Sequence, residues 1–387
     1  MPDELFRQPL MVDVEGGEWD KRVKLKWRKT NPFTAAYSVP FGMLREASDR
    51  VRQRLEALVG ESMRGNVMHS GAILKEIAEA GHRLYRALFH DPGGVGAATK
   101  NRQKIETLTG PHQLYASTTG GLHIPWGLVY DGDPEELSGN PEDVAFEHYQ
   151  GFWCIKYRAS CVYNKVETYS ADKPLPAGMV RMQSVVNELV YERTRPYLEK
   201  CGAPFWDWLT TQFGPPIYSQ KNWLARWKSE YDKVAVLYFY SHANGGKIGL
   251  ASDSISANDL ALDLGDETAV TLPCVVFVNG CSTAVGDPNG GFLEATAGSR
   301  FCGFIGAEAS IPEIFALRFG SAFLYEFFRG GRTIIDIMAG MRECHWPLSL
   351  LYNVYCVPEL KLEAANAAPP AVPVGNFCSF DLGTQGI

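Results

Sequence analysis

Val234-Ala-Val-Leu-Tyr-Phe-Tyr-Ser-His242-Ala-Asn-Gly-Gly246 and Cys274-Val-Val-Phe-Val-Asn-Gly-Cys281-Ser-Thr283 are the stretches whose reading decides the fold. Each opens with an unbroken apolar run. A strand with one face in water alternates apolar and polar residues, whereas a strand buried on both faces of a parallel sheet does not. Phe301-Cys-Gly-Phe-Ile-Gly306 is a third run of this kind. Helical segments are expected between the runs, at Ala257 to Leu264 and near Gly290 to Ala297, and a long amphipathic helix near Ile314 to Phe328 comes after the third. This β-α-β-α-β-α order predicts an α/β fold. The first run ends in a Gly-containing loop with His242, the second in one with Cys281. Open α/β sheets bind ligands beyond the carboxyl ends of their strands, and sequential parallel strands are commonly neighbours. A thiol and an imidazole on adjacent loops there suit nucleophilic catalysis: the thiolate attacks a carbonyl carbon and the imidazole hands a proton to the leaving amine. N–H groups at the Gly280-Cys281 turn are placed to stabilise the oxyanion, an effect worth about 3 kcal/mol per donor in other enzymes. A single cysteine after a strand is far more often a packing residue. Only the joint placement of the two groups points to catalysis.

Upstream, residues 10–40 predict one or two strands, with period-two alternation in Val23-Lys-Leu-Lys-Trp27. Leu44, Ala47, Val51, Leu55 and Leu58 mark one amphipathic helix, and Ile73, Ile77, Leu84 and Leu88 a second, ended by Asp91-Pro-Gly-Gly94. Gly93-Gly-Val-Gly96 comes after a helix and lacks the Gly-Lys-Ser/Thr ending of a phosphate loop, so it reads as a turn. Residues 112–130 suggest a hairpin around Gly120-Gly121, with His123 a half-buried strand residue, and 151–163 another strand. Residues 181–200 read as a helix whose apolar face includes Val185, Val186, Leu189 and Val190, and 205–230 as helices broken at Gly214-Pro215-Pro216. Four regions are expected: 1–135, the N-terminal half of the fold; 136–230, an aromatic-rich insertion or connection; 231–363, the half carrying His242 and Cys281; and 364–387, an Ala/Pro-rich flexible tail.

Composition narrows the function. Of 387 residues, 45% are hydrophobic and 21% charged, which excludes wholesale disorder. The net charge of −7 gives no support for a general nucleic-acid binder, so direct nucleic-acid binding is not expected. No apolar run approaches the roughly 20 residues of a spanning helix, and the first residues lack the apolar core of a secretory signal. A cytoplasmic protein without membrane contact is expected. Nine cysteines include no Cys-x-x-Cys, and no His-Glu-x-x-His is present, so neither metal nor cofactor is expected. Without a secretory signal a disulfide framework is not expected either, and Cys344-His345 reads as structural.

The order and spacing of short motifs add a resemblance. Phe239-Tyr-Ser-His242-Ala-Asn-Gly-Gly246, the segment from Leu250 to Leu260, and Val275-Val-Phe-Val-Asn-Gly-Cys281-Ser-Thr-Ala284 resemble the CHAT family. These are caspase-like cysteine peptidases related to separase and, more distantly, to caspases. The likeness continues through Gly290-Gly-Phe-Leu-Glu-Ala295, Phe301 to Gly306, Ile311-Pro312-Glu313 and Phe327-Phe-Arg-Gly-Gly331. Upstream it takes in Leu84-Tyr85 and Leu122-His-Ile-Pro125-Trp126-Gly-Leu-Val129, so it covers most of residues 70–345. It implies a caspase-like three-layer fold with a mostly parallel central sheet flanked by helices. It also implies Cys281 as nucleophile, His242 as general acid/base, and an oxyanion hole from the N–H groups of Ala243 and Cys281. A protein substrate is implied, often a dedicated partner, with activity held until a signal, an activating protein or a complex arrives. Many relatives act in bacterial defence.

Three positions depart from the family pattern. Ala243 stands where relatives have Gly after the histidine, Asn279 where basic-specific relatives carry an acid, and Ser310 where separase-like sequences carry an Asp. Asn279, Glu308, Ser310 and Glu313 are expected to wall the specificity pocket, with neutral Asn279 and Ser310 favouring an uncharged or small residue before the cut bond. Two other readings share these residues: a catalytically silent caspase-like scaffold, and a different hydrolase or acyl transferase using the same dyad.

Overall fold

In Arg22-Val-Lys-Leu-Lys-Trp-Arg28 the alternation becomes a strand with Val23, Leu25 and Trp27 buried and Arg22, Lys24 and Lys26 in water. The computed structural model describes residues 10–16, 20–28, 35–108, 113–118, 122–163, 181–201, 203–244, 246–265, 274–285, 291–296, 301–356, 360–363 and 369–370. It divides into two units, Met1–Lys165 and Val166–Ile387.

The first unit runs β1 (Leu10–Glu15), β2 (Arg22–Arg28), β3 (Tyr37–Pro40), α1 (Phe41–Met63), α2 (Gly71–Leu88), α3 (Ala97–Glu106), β4 (Leu114–Thr118), α4 (Trp153–Lys156) and β5 (Ser160–Tyr163). Its sheet has the order β3-β2-β1-β4-β5. The β1–β4 and β4–β5 pairs are parallel and the β1–β2 and β2–β3 pairs antiparallel. The first expected stripe is buried, Leu44, Ala47, Val51, Leu55 and Leu58 on α1; on α2 Ile77, Leu84 and Leu88 are buried, while Ile73 is partly exposed and Leu74 takes its place in the core. Trp27 stacks on Phe89 at 5.2 Å and meets Trp126 and Trp153 edge-on at 6.2 and 6.1 Å. The Gly93–Gly96 segment is a turn, as expected: Asp91 Oδ2 accepts from Gly96 N (2.6 Å) and Thr99 Oγ1 (2.9 Å) and closes the start of α3.

The 112–130 stretch departs from the expected hairpin. Among its described residues β4 is the one strand, with partners β1 and β5 distant in sequence, and Tyr130 makes an isolated bridge to Phe152. Residues 122–125 run on into a 3₁₀ turn at Trp126–Leu128, because Pro125 has no N–H for a ladder. His123 is buried but lies on no strand. Gly120-Gly121 lies outside the described residues.

The second unit contains β6 (Arg181–Val186), α5 (Glu188–Cys201), α6 (Ala203–Phe213), α7 (Gln220–Glu230), β7 (Val234–Tyr240), β8 (His242–Asn244), β9 (Lys247–Gly249), β10 (Ser254–Ser256), α8 (Ala257–Gly265), β11 (Cys274–Asn279), α9 (Phe292–Thr296), β12 (Phe301–Ala307), α10 (Glu313–Arg329), α11 (Ile334–Cys344) and β13 (Tyr352–Cys356). The main sheet has the order β13-β12-β11-β7-β6, parallel except for β13. β7, β11 and β12 are buried along their whole length, as their unbroken apolar runs require. Successive side chains of β7 meet helices on opposite faces: Tyr238 packs against Trp206 of α6, and Phe239 against Trp223 of α7. Gly320 brings α10 onto the Tyr238 face, since a Cβ there would lie 2.6 Å from Asn279 Nδ2. These are the three layers of an α/β sandwich.

One helix expectation is corrected. Residues 181–186 are a strand, with Val185 and Val186 in the ladder opposite Phe239 and Tyr240. The β-branched pair suits a pleated, doubly buried surface. Asn187 ends the strand and opens α5, its Oδ1 accepting from Val190 N at 3.2 Å. Leu189, expected on the apolar face, is 67% exposed. Of the 136–230 stretch, residues up to 165 belong to the first unit, and the rest supply β6 and α5 to α7 of the second. Apart from 369–370, the Ala/Pro-rich tail lies outside the described residues. Cys344, expected to stand outside any disulfide, is disulfide-bonded. Among the described residues no helix is long and apolar enough to cross a membrane.

Candidate active site

The β7–β11 register pairs Phe239 with Val278 and Tyr240 with Asn279. His242 and Cys281 each lie two residues beyond that last pair, in the segments that leave the ends of these neighbouring strands. Ser241 N donates to Asn279 O at 3.3 Å and carries the pairing one step further. Gly280 makes the approach possible: a Cβ there would fall 2.7 Å from Ser241 O and 3.0 Å from Ala243 Cβ. The segments flanking the imidazole and the thiol therefore touch through their backbones.

His242 begins β8 rather than sitting in a plain loop, and pairs antiparallel with Gly249 of β9. The Gly249 carbonyl accepts from Ser241 Oγ and from Asn187 Nδ2 (2.9 Å), which ties this hairpin back to the end of β6. The His242 side chain is 58% exposed, and its Nε2 lies 3.3 Å from Glu313 Oε1. Glu313 is the first residue of α10, after Pro312. The same carboxylate takes a two-pronged contact from Arg193 of α5, Nε to Oε2 at 2.9 Å and Nη2 to Oε1 at 2.5 Å.

Cys281 is partly buried and outside any disulfide. Its Sγ lies 3.4 Å from Ile311 N and 3.9 Å from Ile311 O. The turn after Cys281 is held to the end of β12. Ser282 N donates to Ala309 O (2.9 Å) and Ala284 N to Ala307 O (2.8 Å). Thr283 Oγ1 donates to Val278 O (3.0 Å) and accepts from Ala307 N (3.1 Å). Ser282 takes a left-handed φ of 52° in making this turn.

Three of the four residues expected to wall the specificity pocket are engaged elsewhere. Asn279 is 1% exposed. Its Nδ2 donates to Tyr238 OH (2.9 Å) and Ala316 O (2.7 Å), and its Oδ1 accepts from Tyr352 OH. Glu308 is also 1% exposed, accepting from Asn353 Nδ2 (2.8 Å) and Tyr355 OH. Asn279 ends β11 and Glu308 lies one position past β12, so both are still inside the packing and turn their polar atoms to inner partners. Glu313 faces Arg193 and His242. Ser310, on the loop beside Cys281, is partly exposed. Burial pushes Tyr238, Tyr240 and Tyr352 well above the ordinary phenol range, so the hydroxyls beneath the site stay protonated donors.

Arg193 and Thr283 are not legible from the sequence as site residues. Thr283 gives a weak signal, a hydroxyl two residues after Cys281 in a turn, where such side chains bond back to backbone. Arg193 gives none, being 120 residues from Glu313.

No family model matches the chain. No curated protein matches it either. Among solved structures, it is similar to separase from Saccharomyces cerevisiae in complex with securin, with a TM-score of 0.52 and 9% identity over 91% of this chain and 30% of that one. A second structure of the same complex gives a TM-score of 0.46 and 10% identity over the same shares. The chain spans 30% of the length of that solved chain. At this identity the likeness is one of fold: the chain is a mixed α/β protein with helix-flanked sheets, similar in fold to the matched part of that separase chain.

Proposed function

We propose that the chain is a caspase-like cysteine endopeptidase of the CHAT type that its motifs resemble, with Cys281 as nucleophile and His242 as general acid/base. The observation that supports the reading is that both residues follow the paired ends of β7 and β11 by two positions, with Gly280 pressed against Ser241 and Ala243. The Cys281 thiolate attacks the scissile carbonyl carbon, forming a tetrahedral oxyanion that the N–H groups of Ala243 and Cys281 receive. The C–N bond breaks as His242 protonates the leaving amine, leaving a thioester. Water, deprotonated by His242, then hydrolyses it and regenerates the thiol. Glu313 accepts from Nε2–H and keeps the ring oriented, so Nδ1 exchanges protons. Arg193 holds the Glu313 carboxylate for this task.

The pocket beside Cys281 is neutral on this reading, because Asn279 and Glu308 are bonded internally and Glu313 is held by Arg193. An uncharged side chain before the cut bond suits Ser310; a basic one would be left desolvated without a partner. Separase is seen with securin in the solved complex. By analogy, we assign this chain a protein substrate and a protein partner that governs access to Cys281.

The test is cleavage of a peptide library together with labelling by an electrophilic thiol probe. Wild-type chain should do both, Cys281→Ala neither, and His242→Ala should lose cleavage while keeping the fold. Cleavage by Cys281→Ala above a few per cent of wild type would overturn the nucleophile assignment. Labelling without cleavage of any peptide or protein would favour an acyl transferase.

A further inference from the structure

The first unit holds a cleft of about 520 Å³ between α1, α2 and the start of α3, remote in sequence from His242 and Cys281. Four arginines line it, Arg50 from α1, Arg83 and Arg86 from α2, and Arg102 from α3, against two carboxylates, Glu46 and Asp91. Asp91 is spent on Gly96 N and Thr99 Oγ1, so it neutralises none of them directly. Arg102 has Glu106 at 3.6 Å. Among the described residues Arg50, Arg83 and Arg86 have no ion pair or hydrogen bond. In a chain of net charge −7, acidic partners for three guanidinium groups were not scarce. Leaving three of them unpaired around one concavity costs mutual repulsion, which an anionic ligand would relieve.

The floor is apolar, with Met43, Ala47, Ala87 and Phe89. The volume lies within the range of small-molecule sites, about 300–1,000 Å³. Guanidinium forks match phosphate oxygens two at a time, and Arg83 and Arg86, three residues apart on α2, lie on one helix face. The start of α3 contributes nothing to anion capture, because Asp91 occupies its amides. The charge comes from side chains alone.

We propose that this cleft binds a phosphorylated small molecule of nucleotide size, its phosphates held by Arg50, Arg83 and Arg86 and its uncharged part lying on Met43 and Phe89. The site does not depend on the peptidase reading.

Calorimetric titration of the full chain with ATP tests it, with inorganic pyrophosphate as competitor and an Asp hexapeptide as an acidic-protein mimic. Saturable ATP binding, displaced by pyrophosphate, is expected. Arg50→Gln and the pair Arg83→Gln/Arg86→Gln should each weaken it about tenfold or more. Arg86→Lys, which keeps the charge but loses the fork, should fall between. Arg83 and Arg86 are exposed, so the thermal midpoint of these variants should stay at the wild-type value and certify the fold. No saturable binding of ATP or pyrophosphate, equal affinity in the variants, or tighter binding of the Asp peptide than of ATP would each overturn the proposal.

Discussion

The two units each hold a five-stranded sheet, half antiparallel in the first and parallel but for the edge strand β13 in the second, and the two are read differently. In the first sheet β2 alternates buried and exposed residues. In the second β7, β11 and β12 are buried throughout. One sheet has a wet face; the other is sandwiched. The sandwiched sheet also ends in tight, cross-bonded turns, and His242 and Cys281 follow two of its neighbouring strands. Architecture alone does not make a site; the turns beyond the strand ends do.

The contrast is sharpest in the core. Phe277 of β11 meets Tyr238, Phe323 and Tyr352 at ring distances of 5.4, 5.3 and 5.9 Å. Phe277→Ala should cost about 3–5 kcal/mol in chemical denaturation, through lost burial and the void left behind. A cost below about 1 kcal/mol would mean that the sheet is not closed on both faces.

Gly280→Ala probes the strand ends. The new Cβ meets Ser241 O, which is backbone and cannot swing away. Overpacking should cost about 1–3 kcal/mol of stability. Peptide cleavage should fall about 100-fold through displacement of His242 from Cys281. Unchanged turnover would break the link between register and chemistry.

A smaller effect concerns His345, buried against Phe315 and Phe319. Burial, with Arg318 nearby, lowers its pKa from 6.5 to about 4. The folded ring stays neutral between pH 6.5 and 4 while the unfolded ring takes a proton, so stability falls as pH drops through that window. Between pH 7 and 5 this one group should remove roughly 2 kcal/mol. His345→Phe should flatten that slope; an identical pH dependence would refute the assignment.

The smallest effect belongs to the wet face of the first sheet. Lys26→Ala on β2 should move stability by less than about 0.5 kcal/mol. A loss comparable with that of Phe277→Ala would show that this face is covered and that the difference between the sheets is not real.

Legibility in the sequence divides along the same line. The runs at 234–240, 274–279 and 301–307 are readable because burial on both faces leaves no polar residue to interrupt them. β6 is not, because strand and helix join at Asn187 without a break, so Val185 to Val190 suggests one helical face. Strands of three residues, such as β8 to β10, are too short for any period to show. The positions of His242 and Cys281 are readable as strand-end residues. The inward turn of Asn279 and Glu308 is hidden, because it depends on Tyr238, Tyr352, Asn353 and Tyr355, which only the folded sheet brings near.

The carboxylate of Glu313 is shared between Arg193 and His242, and both partners are more than half exposed. Exposed charge pairs are screened by dissolved ions over a Debye length of about 8 Å at physiological salt and about 3 Å at 1 M. Raising ionic strength loosens the grip of Arg193 on Glu313, while the Tyr240 hydroxyl still bridges Thr194 of α5 and the Glu313 carbonyl of α10. The orientation of the His242 ring is thereby tied to the salt content of the surroundings, while the Cys281 turn, held by backbone amides and Thr283, is not.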